Sequence, residues 1–308
     1  MTPQQVIAAI QMGVGRKRLA KTLGISDIQA RRLIQLVKSG NIQEALLALS
    51  QQKEESRPQH FTFARDVESL LLVFVGDQHI GSPNTDTGRV FAEAEHILKT
   101  PEAYIVQLGD VVDNYIVSKL LHLNFDASMS IEAQWQLARR YFELIKDRLI
   151  AVVSGNHELW SMKLAGVDLL GSIVPGCYYD RFDLKLEVRV RSARFRIWAR
   201  HRWPGQSIYN PTHGQERGAR FLDPSFDIYV GAHTHAGGLY REFVLAGRKR
   251  AAIQIGTYKL DDPYGKEKGF PSSDQSTAVG ILLSSKGYFL GCSSLEALCD
   301  LQSLLLRS

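Results

Sequence analysis

The chain has little cysteine. Its 308 residues include only Cys177, Cys292 and Cys299, and these share no metal-ligand spacing. They suggest no disulfide framework and fit a reducing compartment. Long apolar runs are also missing. None approaches the roughly 18 residues that a membrane span needs. Met1 to Gln5 carries no secretory-leader pattern. No internal repeat and no extended low-complexity tract is present. The expectation is a cytoplasmic protein that engages no membrane, with its oligomeric state left open. What remains, 44% hydrophobic and 22% charged residues, is the composition of an ordinary globular chain. The length suits one large domain and one small one.

Acidic residues are scarce at the start. Residues 1–50 hold Arg16, Lys17, Arg18, Lys21, Arg31, Arg32 and Lys38 against Asp27 and Glu44, so 7 − 2 = +5. The rest holds 37 − 7 = 30 bases and 32 − 2 = 30 acids, so the whole net charge of +5 sits in the first fifty residues. A small basic segment on a neutral body suggests an anionic partner.

That segment reads as short helices. Val6, Ile7 and Ile10 make one apolar stripe. Leu19, Ala20 and Leu23 make a second, and Gly24 ends it. Ser26 suits the N-cap of a third helix with Ile28, Leu33, Ile34 and Val37 inward. Leu19 to Ser26, followed by Ala30-Arg31-Arg32-Leu33, resembles a helix-turn-helix. A small Ala20 lets two helices cross closely, and Gly24 allows the tight turn. The third helix would carry Gln29, Arg31, Arg32 and Gln35 towards a DNA groove. A module that binds protein, or only packs on the body, is the alternative. Residues 51–66 are polar, contain Pro58 and read as a linker, which leaves 67–308 as the main domain.

In the main domain, five apolar runs end in Asp, His or Asn. Leu70 to Val75 runs into Gly76-Asp77-Gln78-His79. Tyr104 to Leu108 runs into Gly109-Asp110-Val111-Val112-Asp113-Asn114. Leu149 to Ser154 runs into Gly155-Asn156-His157-Glu158. Arg194 to Arg200 ends at His201, and Asp227 to Val230 runs into Gly231-Ala232-His233-Thr234-His235. Carboxylates at glycine turns are poor core builders and good cation ligands. Strands alternate with helices over 88–99, 129–146 and 158–165, which implies a layered α/β core. Such sheets place their sites at the carboxyl ends of strands, so all five tips can converge. After residue 180 the pattern becomes antiparallel, with a hairpin turning at Ser192-Ala193. Further strands are expected near 226–230, 251–255 and 279–283, and a last helix over about 295–306.

The five blocks, in this order over residues 69–260, resemble the calcineurin-like metallophosphoesterases. The resemblance implies a two-sheet α/β sandwich of the metallophosphoesterase type, here preceded by the small all-α helix-turn-helix-like domain. It implies a centre of two divalent metal ions, Mn²⁺ foremost with Fe or Zn²⁺ as alternatives. Asp77, His79 and His235 would bind one ion. Asn156, His201 and His233 would bind the other, and Asp110 would bridge them. The ions would activate a hydroxide for attack on phosphorus. His157 would assist the leaving oxygen, with Asp113 orienting its ring. Five of the nine histidines fall in these blocks, whereas His60, His96 and His122 follow no pattern. His213 competes with His201 as a ligand, and the strand-end position favours His201.

The blocks do not fix the substrate. Ser/Thr protein phosphatases have Asp-Arg-Gly where this chain has Asp113-Asn114-Tyr115. The related DNA nucleases share His-x-His and the Asp-x-x-Asp spacing, but usually have Asp at the place of Glu158. Nucleic acid is favoured by three features. One is the basic N-terminal segment. The second is the hairpin around 181–202, whose Arg181, Lys185, Arg189, Arg191, Arg194, Arg196, Arg200 and Arg202 could line a phosphate backbone. A solvated face paired with Asp183 and Glu187 is its alternative. The third is the loop from Arg202 to Asn210, where Trp203 or Tyr209 could stack on a base. Residues 256–270 are another candidate rim. The reading is a metal-dependent DNA nuclease or phosphodiesterase. Its alternative is a phosphomonoesterase, acting on phosphoprotein or nucleotide, whose N-terminal module binds a protein.

Overall fold

The computed structural model describes residues 3–23, 27–46, 49, 60–117, 127–207, 209–260 and 277–307. These fall into two compact units, residues 1–59 and 60–308.

The first unit is helical. Helices α1 (Pro3–Gln11), α2 (Arg16–Leu23) and α3 (Asp27–Lys38) share a core of Val6, Ile7, Ile10, Leu19, Ala30, Leu33 and Val37. Ala30 is fully buried, so the close approach of α3 falls on that alanine, while Ala20 is half-buried. Arg31 and Arg32 are exposed, and Arg32 reaches Glu44 at 3.7 Å. The expected turn at Gly24 and cap at Ser26 lie outside the described residues, as do the side chains of Ile28 and Gln29.

The second unit is a two-sheet sandwich. The first sheet has the order β1 (His60–Arg65), β6 (Leu184–Val190), β7 (Ala193–Arg200), β8 (Ile228–Gly231), β10 (Arg248–Gln254), β9 (Leu239–Leu245), and the second the order β12 (Phe289–Cys292), β11 (Val279–Ser284), β2 (Ser69–Val75), β3 (Ala103–Gln107), β4 (Leu149–Val153), β5 (Tyr178–Asp180). In the second sheet β2 (Ser69–Val75), β3 (Ala103–Gln107), β4 (Leu149–Val153) and β5 (Tyr178–Asp180) run parallel. β11 (Val279–Ser284) pairs antiparallel to β2, and β12 (Phe289–Cys292) antiparallel to β11. In the first sheet β6 (Leu184–Val190) and β7 (Ala193–Arg200) form the expected hairpin, closed by Arg191 and Ser192. β8 (Ile228–Gly231) lies parallel to β7 and to β10 (Arg248–Gln254), and β9 (Leu239–Leu245) closes the edge.

Burial explains the composition of each strand. β2 is buried along its whole length because both its faces are covered. Leu70, Leu72 and Phe74 meet Leu186, Val188, Ile197 and Ile253 between the sheets. Leu71, Val73 and Val75 face the other way, under helices α4 (Thr87–Lys99), α5 (Ile131–Ile145) and α9 (Leu295–Leu305). The hairpin, by contrast, alternates buried with half-exposed residues, because only one face of β6 meets the core. Helices α6 (Asn156–Ala165) and α7 (Leu169–Ile173) follow β4, and α8 (His213–Phe221) packs on the outer face of the first sheet.

One boundary differs from the sequence reading. Residues 60–65, expected as the end of the linker, form β1 (His60–Arg65) parallel to β6. Phe61 and Phe63 alternate inward, stacking on Tyr178 at 5.2 Å and meeting Tyr104 edge-on at 4.7 Å. Residues 51–59 of that linker lie outside the described residues. Among the described residues no helix is long and apolar enough to cross a membrane.

Candidate metal centre

The five strand tips meet. Beyond β2 and β3 the two chains continue side by side as loops. Asp77 N donates to Gly109 O at 2.9 Å, His79 N to Asp110 O at 3.0 Å and Ile80 N to Val111 O at 2.8 Å. The third tip closes on them through glycine. A Cβ on Gly155 would lie 2.0 Å from Oδ1 of Asp110 and 2.3 Å from its nitrogen, so no side chain fits there. His157 N then donates to Asp110 Oδ1 at 2.9 Å. The fourth and fifth tips come from the other sheet, where Ala232 N donates to His201 O at 3.0 Å and His233 N to Asp77 Oδ2 at 2.7 Å.

The backbone at these tips is unusual. Asp77, His79, Asp110, Asn114, His233 and His235 have φ between 44° and 74°. Non-glycine residues avoid this region at a cost of order 1–2 kcal/mol each, and such strain gathers at functional sites.

The candidate ligands form two groups joined at Asp110. In one, Asp77, His79 and His235 bring donor atoms within 4.8 Å of one another, and in the other Asp110, His201 and His233 do the same; His79, Asp113 and His157 make a third such cluster beside them. Asn156 Oδ1 lies 3.1 Å from His201 Nε2 and belongs with the second group. Asp110 Oδ2 stands 3.1 Å from His201 Nε2 and 3.9 Å from His79 Nε2, between the two. Every sequence-derived candidate ligand is therefore here. His213 is exposed at the start of α8, whereas His201 is buried in the second group.

Hydrogen bonds from behind aim the imidazoles. His201 Nδ1 donates to Leu108 O at 2.7 Å, leaving Nε2 towards Asp110 and Asn156. His79 Nδ1 donates to Asp113 Oδ1 at 2.8 Å, leaving Nε2 3.0 Å from His235 Nε2. Two ring nitrogens keep that separation only with a proton or a cation shared at the site. Asp77 Oδ1 is buried without a hydrogen-bond partner. Carboxylate, imidazole and amide donors with such an orphaned oxygen fit divalent cations.

One expected role is reassigned. The Asp113 carboxylate does not orient His157. His157 Nδ1 lies 2.5 Å from the main-chain oxygen of Asp113, while the carboxylate holds His79 and, at 3.1 Å, Nζ of Lys259. The positive φ of Asn114 goes with a turn that brings the Asp113 carbonyl to His157, and Asn114 Nδ2 donates to His157 O at 2.7 Å.

Electrostatics follow from burial and crowding. Burial pushes Asp110 up, but His201 and His157 outweigh it and hold Asp110 well below the usual carboxylate range. Burial lowers His201, yet Asp110 and Asp77 overcome it and raise His201 to about 10. Burial lowers His79 and His233 to about 3, aided by Lys259 and His201 respectively. Asp77 is raised to about 6, chiefly by burial.

Sequence reasoning gave Glu158 no role. Its carboxylate accepts from the backbone N–H groups of Asp110 and Gly155, both at 2.9 Å, and of Val111 at 2.7 Å, so it ties the second and third tips together. Burial and the Asp110 charge push it up to about 7. Tyr115 and Trp160 were also passed over as site residues, and Lys259 was named only as part of the 256–270 rim. Lys259 is buried beside Asp113, and the two rings flank His157.

The expected substrate wall fares unevenly. Trp203 is no platform. It is buried, donates its indole N–H to Val230 O at 2.7 Å, and packs on Trp198 and Tyr229. Tyr209 is 93% exposed. Arg202 is exposed and its charge reaches His233. On the hairpin, Arg181 pairs with Asp168, Arg189 with Glu187, and Arg191 with Asp66 and Glu68. Lys185 and Arg200 lie over Trp198, so five of the eight cations serve local contacts. Of the 256–270 rim, residues 261–270 lie outside the described residues.

No protein-family model matches the chain, and no curated protein does. Solved structures do. Vps29 from Chaetomium thermophilum is similar at 12% identity and TM-score 0.35, over 72% of this chain and 93% of that one. The calcineurin-like phosphoesterase YfkN from Bacillus subtilis gives 12% and 0.35, over 78% and 99%. The Pseudomonas putida nuclease MPE gives 12% and 0.31, over 72% and 87%. At these scores the overlap is loose, and the sandwich is established by the strand pairing of this chain itself.

Proposed function

We propose that residues 60–308 are a metallophosphoesterase that hydrolyses phosphodiester bonds in DNA, and that the basic N-terminal unit docks the nucleic acid. The observation that carries the reading is the pair of donor groups meeting at Asp110 on five strand tips, with the orphaned oxygen of Asp77 among them. Asp77, His79 and His235 would hold one divalent ion, Asn156, His201 and His233 a second, and Asp110 both. Bound there, the pair supplies a nucleophilic hydroxide at neutral pH and neutralises charge on the attacking and leaving oxygens.

His157 is the acid for the leaving group. Its Nδ1 donates to Asp113 O, so Nε2, 3.8 Å from Asp110 Oδ2, is the nitrogen that gains and gives up the acidic proton; burial holds His157 below its ordinary value, and the charges of Asp110 and Asp113 work against that. Removing a general acid typically costs about 10²–10⁴ in rate, so His157→Ala should be slow with both ions retained.

The case for DNA rests on charge. The net +5 of the chain lies in residues 1–50, and Arg31 and Arg32 stand exposed on α3. The test is cleavage of labelled single- and double-stranded DNA by the Mn²⁺-loaded full chain, with a phosphomonoester in parallel and Asp110→Asn as the blank. DNA cleavage absent from the blank supports the reading. Monoester turnover with intact DNA replaces it with a phosphatase whose N-terminal unit binds another partner.

A further inference from the structure

Three aromatic rings and an ammonium surround the edge of the centre. The His157 ring lies 4.2 Å from Trp160 at an interplanar angle of 33°, and 5.4 Å from Tyr115 at 55°. Tyr115 and Trp160 are 6.0 Å apart at 30°. Nζ of Lys259 stands 5.9 Å from the Tyr115 ring and 3.1 Å from Asp113 Oδ1. The groups come from three separate stretches: the loop after β3, the first turns of α6, and the turn after β10.

Among the described residues, core packing does not account for the two rings. Neither Tyr115 nor Trp160 belongs to any of the three apolar clusters of this unit, and both are half-buried. Trp160 follows His157 by three residues on α6, so the two share one helix face and the indole travels with the imidazole. Lys259 is not a casual surface lysine either. It is 7% exposed, and its turn is tied to the site by Thr257 Oγ1, which donates to Asp77 O at 2.9 Å. Burying an ammonium is costly even with a partner.

We propose that Trp160, Tyr115 and Lys259 form a subsite for a nucleoside phosphate beside His157, the two rings taking the base by stacking and Lys259 facing its phosphate. The proposal rests on the phosphoesterase reading above and names what that site holds. Base–aromatic stacking needs only a π-face, so the subsite takes any of the four bases. A single cation next to the rings orients the bound group by its anionic end. A nucleotide unit, rather than a sugar phosphate or a phosphorylated side chain, is then the group that gains from both features.

The test is calorimetric binding of deoxyadenosine 5′-monophosphate and of deoxyribose 5-phosphate to the Mn²⁺-loaded full chain. The nucleotide should bind about tenfold more tightly, as expected for one stacked base. Trp160→Ala should remove most of that advantage, and Trp160→Phe should keep it. Lys259→Met should weaken both ligands. Tyr115→Ala serves as a second ring variant should Trp160→Ala fail to fold. Equal affinity of the wild type for the two ligands overturns the subsite, as does an advantage that survives the loss of either ring. Hydrolysis of bis(p-nitrophenyl) phosphate is measured alongside. Turnover of that diester together with equal affinity for the two ligands sinks the subsite alone. A chain inert to every phosphoester sinks the phosphoesterase reading, while the binding ratio still decides the subsite.

Discussion

The carboxylate of Asp113 lies 2.8 Å from Nδ1 of His79, so its hydrogen bond goes to a candidate ligand, while His157 feels only its charge. A carboxylate behind a ligating imidazole fixes its tautomer and raises its basicity, and removing such a partner typically costs about 10–100-fold in metal affinity. Asp113→Asn should therefore weaken metal binding at the group of Asp77, His79 and His235. The His157 ring should stay in place, because its partner is the main-chain oxygen of residue 113. Metal content by plasma mass spectrometry after dialysis reads this directly. A variant that keeps both ions and loses only turnover would return the carboxylate to His157.

Gly155 should tolerate no side chain, and another glycine of the same region provides the contrast. A Cβ at Gly155 would sit 2.0 Å from the Asp110 carboxylate, whereas one at Gly166 would meet nothing within 4 Å. Gly155→Ala must displace Asp110 or the loop, an overpacking cost of about 1–3 kcal/mol, and should abolish metal loading. Gly166→Ala, at φ 70°, pays only the left-handed strain of about 1–2 kcal/mol. Thermal melts with metal titrations separate the two. Normal metal binding by Gly155→Ala would show that the tips do not need this close approach.

Metal loading should release protons. His201, raised to about 10 by Asp110 and Asp77 against its burial, is protonated at pH 8 in the metal-free chain. It must lose that proton to ligate, so about one proton per chain should appear on loading. Affinity should rise with pH up to about 10. The stability of the metal-free chain carries the matching sign. A histidine raised from 6.5 to about 10 stabilises fully below pH 6.5, and that contribution fades as pH rises through 10. Calorimetry in two buffers of different ionisation enthalpy counts the protons. His201→Ala should release about one fewer, and an unchanged count would remove His201 from the ligand set.

Much of the centre was legible because its signals are local. Each tip is an apolar run followed at once by Gly-Asp, Gly-Asn-His, a lone His or Gly-Ala-His-Thr-His, and a buried parallel strand reads as such a run. β1 was hidden because the polar, proline-containing stretch before it continues without a turn signal into His60-Phe61. Helix α8 was hidden for another reason. His213–Phe221 has two glycines and no apolar stripe, and Gly218 is there because Trp203 lies where its Cβ would be, 2.3 Å away. That contact also explains the misreading of Trp203: an aromatic in a polar loop looks available until the helix beneath it is seen. Glu158 stood inside a recognised block, but its three N–H donors come from tips that only the fold brings together. Lys259 and Tyr115 meet across more than a hundred residues of chain, which no local pattern records.

The N-terminal unit gives the last prediction. Arg31 and Arg32 are exposed on α3, and the ion pair of Arg32 with Glu44, at 3.7 Å, is solvent-exposed and weak. If these guanidinium groups meet phosphates, each neutral substitution should lower DNA affinity similarly for all sequences and reduce the salt slope by about 1. Arg31→Ala and Arg32→Ala together should flatten the logarithmic plot of affinity against salt by about 2. The metal centre is left untouched, so cleavage of a small diester should be unaffected. Loss of affinity at only some sequences would instead mean that α3 reads base edges. An unchanged slope would mean that DNA docks without this helix, and the charge of the first fifty residues would then need a different anionic partner.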